Sequence, residues 1–165
     1  MITIRQKLKT EDYKKALYTH FFSYGYTFIS PVLGISLLLT LLTLWGIYGF
    51  DFDYRTVLVV LISLFLISRP MRYVYQVLSS YKTSPDFGKE MQIQFWDEED
   101  KIVATSKHSS STFIFKNLYA YCNKKRFFFL YASNNQFMIL DKNQMKNEEV
   151  STLLEWVNKR GIKKR

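Results

Sequence analysis

Histidine occurs only twice in the 165 residues, and neither position supports catalysis. His108 lies in Lys107-His108-Ser109-Ser110-Ser111, which invites a serine–histidine pairing. Adjacent residues of an extended segment point to opposite faces, however, and a nucleophile–base pair is defined by spatial geometry rather than by neighbouring positions. His20 stands beside a long apolar run. Carboxylates group at Asp97 to Asp100, read as a charged turn between strands, and at Glu148-Glu149, read as the first turn of a helix where negative charge meets the helix dipole. Cys122 is the sole cysteine, which excludes an intrachain disulfide and a cysteine-rich zinc site and leaves a small buried hydrophobe as its reading. The six glycines are scattered, so there is no glycine-rich phosphate loop. No catalytic residue, cofactor site, metal ligand set or small-molecule substrate is expected.

What remains is positive charge: 23 Lys and Arg against 14 Asp and Glu, a net +9. Arg5, Lys7, Lys9, Lys14 and Lys15 precede a first apolar run, Arg69 and Arg72 follow a second, and Lys159, Arg160, Lys163, Lys164 and Arg165 close the chain. Cations flanking apolar runs are what a membrane surface selects, whereas nucleic-acid binding calls for aromatics interleaved with base-reading groups. The expected partners are therefore the lipid bilayer and anionic headgroups, not nucleic acid. Lys124, Lys125, Arg126, Lys142, Lys159, Arg160 and Lys163 are the candidate headgroup or protein-partner contacts. Arg55, Arg69 and Arg72 are the candidate membrane-interface residues.

The elements that would hold these cations read from the pattern. Residues 2 to 8 alternate Ile2, Ile4, Gln6, Leu8 on one face as a strand does, and Thr10 followed by Glu11 and Asp12 predicts a helix N-cap. Residues 21 to 50 carry no charge, and Phe28 to Ile47 hold seven Leu and three Ile with Val32 and Phe28. At roughly −0.5 kcal/mol each, those side chains favour membrane insertion by about 6 kcal/mol before polar residues subtract. A buried core helix would need surrounding protein on every side, more than a remainder of this size supplies. The chain starts this run with a helix N-terminus rather than a signal-peptide pattern and has no small-residue cleavage site after it, so the segment is read as retained. A second run, Thr56 to Ser68, is short of the bilayer core. Arg55 and Arg69 snorkelling to opposite interfaces would extend it into a span from Tyr54 to Tyr73, with Pro70 bending or ending it. Gly49 to Asp53 reads as a tight acidic turn, so the two spans form an antiparallel hairpin with both termini on the cytoplasmic side.

Residues 84 to 86 read as a turn, after which short strands follow at 91–95, 101–107, 112–115, 117–122, 127–131 and 136–140, with Asn134-Asn135 as a hairpin tip. The triplet Phe127-Phe128-Phe129 reads as core on alternating faces. Asn147 as N-cap, Val150, Leu153, Leu154 and Val157 on one face and Gly161 as C-cap predict an amphipathic closing helix.

The hairpin, the exit Ser68-Arg69-Pro70-Met71-Arg72, the Ser84-Pro85-Asp86-Phe87 turn, the short strands and the run from Gln136 to Asn143 before a final helix together resemble the YcxB-like proteins over nearly the whole chain. That resemblance implies a bacterial inner-membrane protein with a pleckstrin-homology-like (PH-like) C-terminal domain, a family mostly without assigned function. Phe115 stands where the family tends to have Trp. Leu140-Asp141-Lys142-Asn143 stands where it has Ile-Pro-Lys-Arg, which leaves only Lys142 of that basic group.

The expectation is thus a membrane α-helical hairpin plus an α+β domain, an antiparallel sheet with a C-terminal helix, PH-like. Its parts are residues 1–20 (strand and cytoplasmic helix start), 21–75 (hairpin, spans 28–48 and 54–73) and 84–165 (cytoplasmic domain). The chain reads as an interaction or scaffolding module of the inner membrane with both termini cytoplasmic. The alternative is an immunity protein whose partner is a toxin acting at that membrane.

Overall fold

The computed structural model describes residues 1–23, 27–49, 53–133 and 136–165. The proposed hairpin tip Asn134-Asn135 and the centre of the acidic turn, 50–52, lie outside the described residues. The chain is α+β and forms two compact units, Met1–Ala16 with Tyr81–Arg165, and Leu17–Ser80.

Among the described residues the first unit holds eight strands: β1 (Ile2–Lys7), β2 (Glu90–Trp96), β3 (Lys101–Thr105), β4 (Ser110–Ile114), β5 (Ala120–Asn123), β6 (Phe127–Tyr131), β7 (Phe137–Asp141) and β8 (Lys163–Lys164). One sheet has the order β1-β2-β3-β4, antiparallel throughout; the other has β7-β6-β5-β8, antiparallel except for the parallel β5–β8 pair. The sequence set residues 1–20 apart from a domain starting at 84. Instead β1 pairs with β2 in the register Ile2↔Phe95 through Lys7↔Glu90, so the N-terminal strand is the outer strand of the first sheet. The alternation of Ile2, Ile4 and Gln6 was legible, but its partner lay more than eighty residues away and no local pattern names it.

The second sheet is covered on both faces. Tyr121, Phe128, Leu130 and Leu140 join Ile4, Ile93, Phe95 and Ile102 of the first sheet in one core, sealed by Leu153 and Val157 of helix α5 (Asn147–Lys159). Ala120, Cys122, Phe127, Phe129, Tyr131 and Ile139 form a second core with Tyr13 and Ala16 from the start of helix α1 (Thr10–Ser23). This two-sided burial is why every residue of Phe127–Tyr131 is buried, and why the three phenylalanines alternate between two cores rather than forming a surface loop. Gln6 joins the sheets: buried on β1, it donates Nε2–H to the Ile139 carbonyl (2.7 Å) and accepts the Asp141 N–H (3.1 Å), a side chain standing in for a strand's backbone.

Helices α1 and α5 each begin one residue after an N-cap that the sequence placed one position later. The Asp12 carboxylate accepts the Lys9 N–H (3.2 Å) and Glu149 accepts the Lys146 N–H (2.7 Å), so the acidic first-turn residues reach back over the helix start. The far end of α5 stops as expected. Gly161, at φ 65°, donates its N–H to Asn158 O (2.9 Å) and Ile162 donates to Val157 O (3.0 Å), the hydrogen-bond pair of a Schellman motif.

The second unit contains α2 (Ile29–Tyr48), α3 (Tyr54–Ile67) and most of α4 (Arg69–Lys82). Asp53 caps α3 by accepting the Thr56 N–H (2.9 Å). α2 and α3 run antiparallel: Ser30 Oγ donates to Leu66 O (3.2 Å) at one level, and further along α2 Gly34 lies against Ser63. A Cβ on Gly34 would stand 2.7 Å from the Ser63 carbonyl oxygen, so only glycine permits this approach. The span expected from Tyr54 to Tyr73 is not one straight helix. α3 ends at Ile67, and α4 departs at 46°, because Pro70 has no N–H to continue the α3 ladder and fits the first turn of a new helix instead. Arg72 reaches back over the break, donating to Phe65 O (2.6 Å) with its guanidinium 3.7 Å from the Phe65 ring centroid.

Candidate functional site

The candidate cations divide into those the fold consumes and those it leaves outward. Arg126, on the turn before β6, donates to both oxygens of the buried Asp141 (3.2 and 2.8 Å) and to Asp12. Its role is to tie α1 and β7 to that turn, not to face a headgroup. Arg160, at the end of α5, pairs with Asp97 and Asp100 (2.7 Å each) and lies 4.6 Å from the Phe115 ring centroid. The acidic group read as a plain turn is therefore the socket of this arginine, and Asp100 adopts φ 50° there. Both arginines are bidentate or stacked, uses for which the planar guanidinium is suited and lysine is not. Lys142 is half-buried, and burial lowers its pKa from the usual lysine value.

Lys124, Lys125, Lys159, Lys163 and Lys164 pair with no carboxylate among the described residues, and Lys125, Lys159, Lys163 and Lys164 are exposed. Their arrangement is a tertiary product. β8 pairs with β5 in the register Ala120↔Lys163 and Tyr121↔Lys164, and the Arg165 N–H donates to Tyr121 O (2.8 Å). The basic tail is thereby laid along the strand that leads into Lys124-Lys125. Cys122 registers this: burial pushes its thiol above the ordinary value, opposed by the positive charges of Lys124, Lys164 and Arg165. Two cation groups more than thirty residues apart in sequence become one basic edge. Arg165 is anchored within it, its guanidinium 4.8 Å from the Tyr119 ring centroid and 5.3 Å from that of Tyr131.

The interface arginines Arg55, Arg69 and Arg72 are exposed in the helical unit. Arg55 caps its own neighbour, donating Nε–H to Tyr54 Oη (3.1 Å).

The serine–histidine segment is a loop fastened by a carboxylate. Asp86 accepts Ser109 Oγ–H (2.7 Å) and the His108 N–H (3.2 Å), and hydrogen bonds from Ser106, Ser109 and His108 hold its carboxyl below the usual range. The His108 ring acts on Asp86 only through its charge, and the site is exposed, so the serines serve a turn. Among the described residues no three His, Cys, Asp or Glu side chains gather to hold a metal ion. The residues that the sequence pattern did not single out are Gln6, which ties the two sheets, and Tyr13 and Tyr81, whose rings meet. For Gln6 the signal was present: a polar residue in the inward parity of an alternating strand.

Fold and surface define an α+β unit with a basic sheet edge, together with a unit built on one helix long and apolar enough to cross a membrane; α3 and α4 meet that description only as a bent pair. Comparison with protein-family models, curated proteins and solved structures finds no match for this chain.

Proposed function

We propose that the chain is a membrane-anchored interaction module, with α2 and α3 as the anchor and the β-rich unit as the working part. The observation that carries this is the inverted burial of the helix pair. The side chains turned inward are Ser30, Pro31, Gly34 and Ser63, while Leu39, Leu42, Leu61 and Phe65 are each more than half exposed. Water would select the opposite arrangement, whereas helices associating in lipid put small residues at the contact and large apolar ones outside. α2, at 20 residues, gives about 30 Å, the thickness of a bilayer core. α3 alone, at 14 residues, gives about 21 Å and needs the start of α4 or its flanking arginines to complete a crossing.

A PH-like reading of the β-rich unit is supported by its order: four strands, then three, then a helix inserting Leu153 and Val157 into the core between the sheets. In that reading α1 to α4 are an insertion between the first two strands. The resemblance to the YcxB-like proteins led to a domain of residues 84–165 alone, whereas here the first strand is recruited from ahead of the helices. The exposed lysines of the basic edge would meet anionic headgroups or an acidic partner, each cation near an anionic surface contributing about 1 kcal/mol.

The test is topological and uses the full chain in a bacterial host. Reporters fused at Asp51 and after Arg165 are expected to report periplasm and cytoplasm respectively, with the protein resisting alkaline carbonate extraction. Extraction into the soluble fraction, or reporters on the same side, sinks the anchor. The headgroup contact is checked by hydrogen exchange of residues 120–126 and 160–165 in nanodiscs. Protection in anionic but not neutral lipid, lost with Lys124→Glu and Lys163→Glu, is expected; equal exchange in both lipids removes it. A fragment starting at residue 82 is unsuited to this test, since it lacks β1 and α1.

A further inference from the structure

The β-rich unit is not packed solid. A cavity of about 400 Å³ lies within it, in the size range of small-molecule sites, 300–1,000 Å³. Met91, Ile102, Leu118, Leu130, Phe137 and Met138 give it apolar walls drawn from both sheets, and among the described residues no Asp, Glu, Lys, Arg or His lines it. Ala104, two positions after Ile102 on the same face of β3, leaves room there that a larger side chain would fill. The pocket is half open to solvent rather than a sealed void, and the fully buried Ile102 forms part of its wall. Two methionines in its wall suit an occupant of variable shape.

Gln6, Tyr13, Tyr81, Ser111 and Gln136 make the polar part of its wall. Tyr13 of α1 and Tyr81 of α4 line the cavity, 5.6 Å apart between ring centroids, and Tyr13 also stacks on Phe87 at 5.1 Å. Neither phenol makes a hydrogen bond among the described residues; both side chains are half-buried and neither oxygen is sealed from solvent, so each hydroxyl can donate to an occupant. Burial, aided by the charge Tyr81 would carry, pushes Tyr13 up to about 12, and burial raises Tyr81 as well. Both therefore remain donors throughout the neutral range. Gln6, also at the wall, is already engaged by Ile139 and Asp141.

We propose that this cavity binds a neutral lipophilic molecule, a single alkyl or acyl chain ending in an uncharged oxygen function that accepts hydrogen bonds from Tyr13 and Tyr81. The apolar walls take the chain. A charged end is disfavoured because no countercharge lines the site and an unpaired ion is costly to bury. The proposal concerns the β-rich unit alone and stands or falls apart from the membrane anchor.

The experiment uses the full chain in phosphatidylcholine nanodiscs with a diazirine-bearing 1-dodecanol as photoprobe, adducts being mapped by mass spectrometry. Adducts are expected on cavity residues, reduced about tenfold by excess 1-dodecanol and unaffected by dodecyltrimethylammonium. Ala104→Leu is expected to cut them about tenfold at unchanged circular dichroism, with Met138→Phe as the second filling variant should the first fail to fold. Replacing both tyrosines by Phe should weaken labelling by the dodecanol probe but not by the corresponding diazirine-bearing dodecane. Absence of adducts on cavity residues, equal competition by the cationic amphiphile, or labelling indifferent to the filling variants overturns the proposal.

Discussion

The two units solve opposite packing problems. In the β-rich unit the large apolar side chains lie inside, with Phe95, Phe115, Phe128 and Phe129 fully buried, and charges lie outside or in pairs. In the helix pair the order is reversed: serine and glycine lie at the contact and leucine outside. The first draws its packing from removing apolar surface from water. In the second the contact rests on close backbone approach and on hydrogen bonds such as Ser30 to Leu66 O, which under the proposed membrane reading are the forces left when the surroundings are as apolar as the side chains. In the β-rich unit Arg126 and Arg160 are knitted to buried or half-buried carboxylates, while Arg165 lies against tyrosine rings; in the helical unit Arg72 meets the Phe65 ring and carbonyl, and Arg55 meets Tyr54 with Asp53 near enough to feel its charge.

The comparison can be broken at its tightest point. Gly34→Leu puts side-chain atoms where the Ser63 carbonyl stands, and is expected to destabilise the helix pair by about 3 kcal/mol. In a Cys122→Ala background, disulfide formation between Ser30→Cys and Leu66→Cys should then fall sharply; an unchanged yield would mean that the close approach does not hold the pair. Next in size is Arg126→Ala, which leaves Asp141 buried with only the Asn143 N–H among its polar side-chain contacts. Because Arg126 is about a third exposed, the expected cost is nearer 2 to 3 kcal/mol than the full cost of breaking a buried pair. It is read as a lowered Tm of the β-rich unit, and a Tm within error of the parent would reduce the pair to a surface contact.

Smaller, and specific to the β-rich unit, is the alkaline behaviour of Tyr13. Its folded pKa of about 12 exceeds the ordinary 10, so the fold prefers the neutral phenol. The resulting stability is present in full below pH 10 and is lost as pH rises from 10 to about 12, where the unfolded chain ionises first. Unfolding measured across that window should show Tyr13→Phe flatter with pH than the parent; parallel curves would contradict the burial. The smallest effect belongs to the outer face of α2. Leu42→Ser, at a position 57% exposed, should change the cross-linking yield of the helix pair by the equivalent of no more than about 0.5 kcal/mol. A large loss would show that this face packs against protein and would undo the contrast between the units.

Much of this architecture could be read residue by residue. Thirty uncharged residues announced α2, the spacing of Val150, Leu153 and Val157 with Gly161 beyond announced α5, and the parity of Ile2, Ile4 and Gln6 announced a strand. Each is a local consequence of helix or strand periodicity. The break at Ser68 was half legible, since Pro70 marks a place where a helix bends or ends without saying which. The fates of the cations were not legible at all. Arg126 and Lys125 are neighbours and look alike as charges, yet one is bound to Asp12 and Asp141, more than a hundred residues away in the first case, and the other is exposed.

The sequence by itself determined the apolar helix, the closing helix, the strand-rich remainder and the excess of positive charge, because period, caps and composition act over a few residues. Only the tertiary structure decided that β1 completes the sheet opened by residue 90, that the basic tail lies beside β5, that two arginines are internal ties, and that Tyr13 and Tyr81 meet at an unfilled space. Those outcomes depend on which distant surfaces exclude one another from solvent, and no local pattern carries that information.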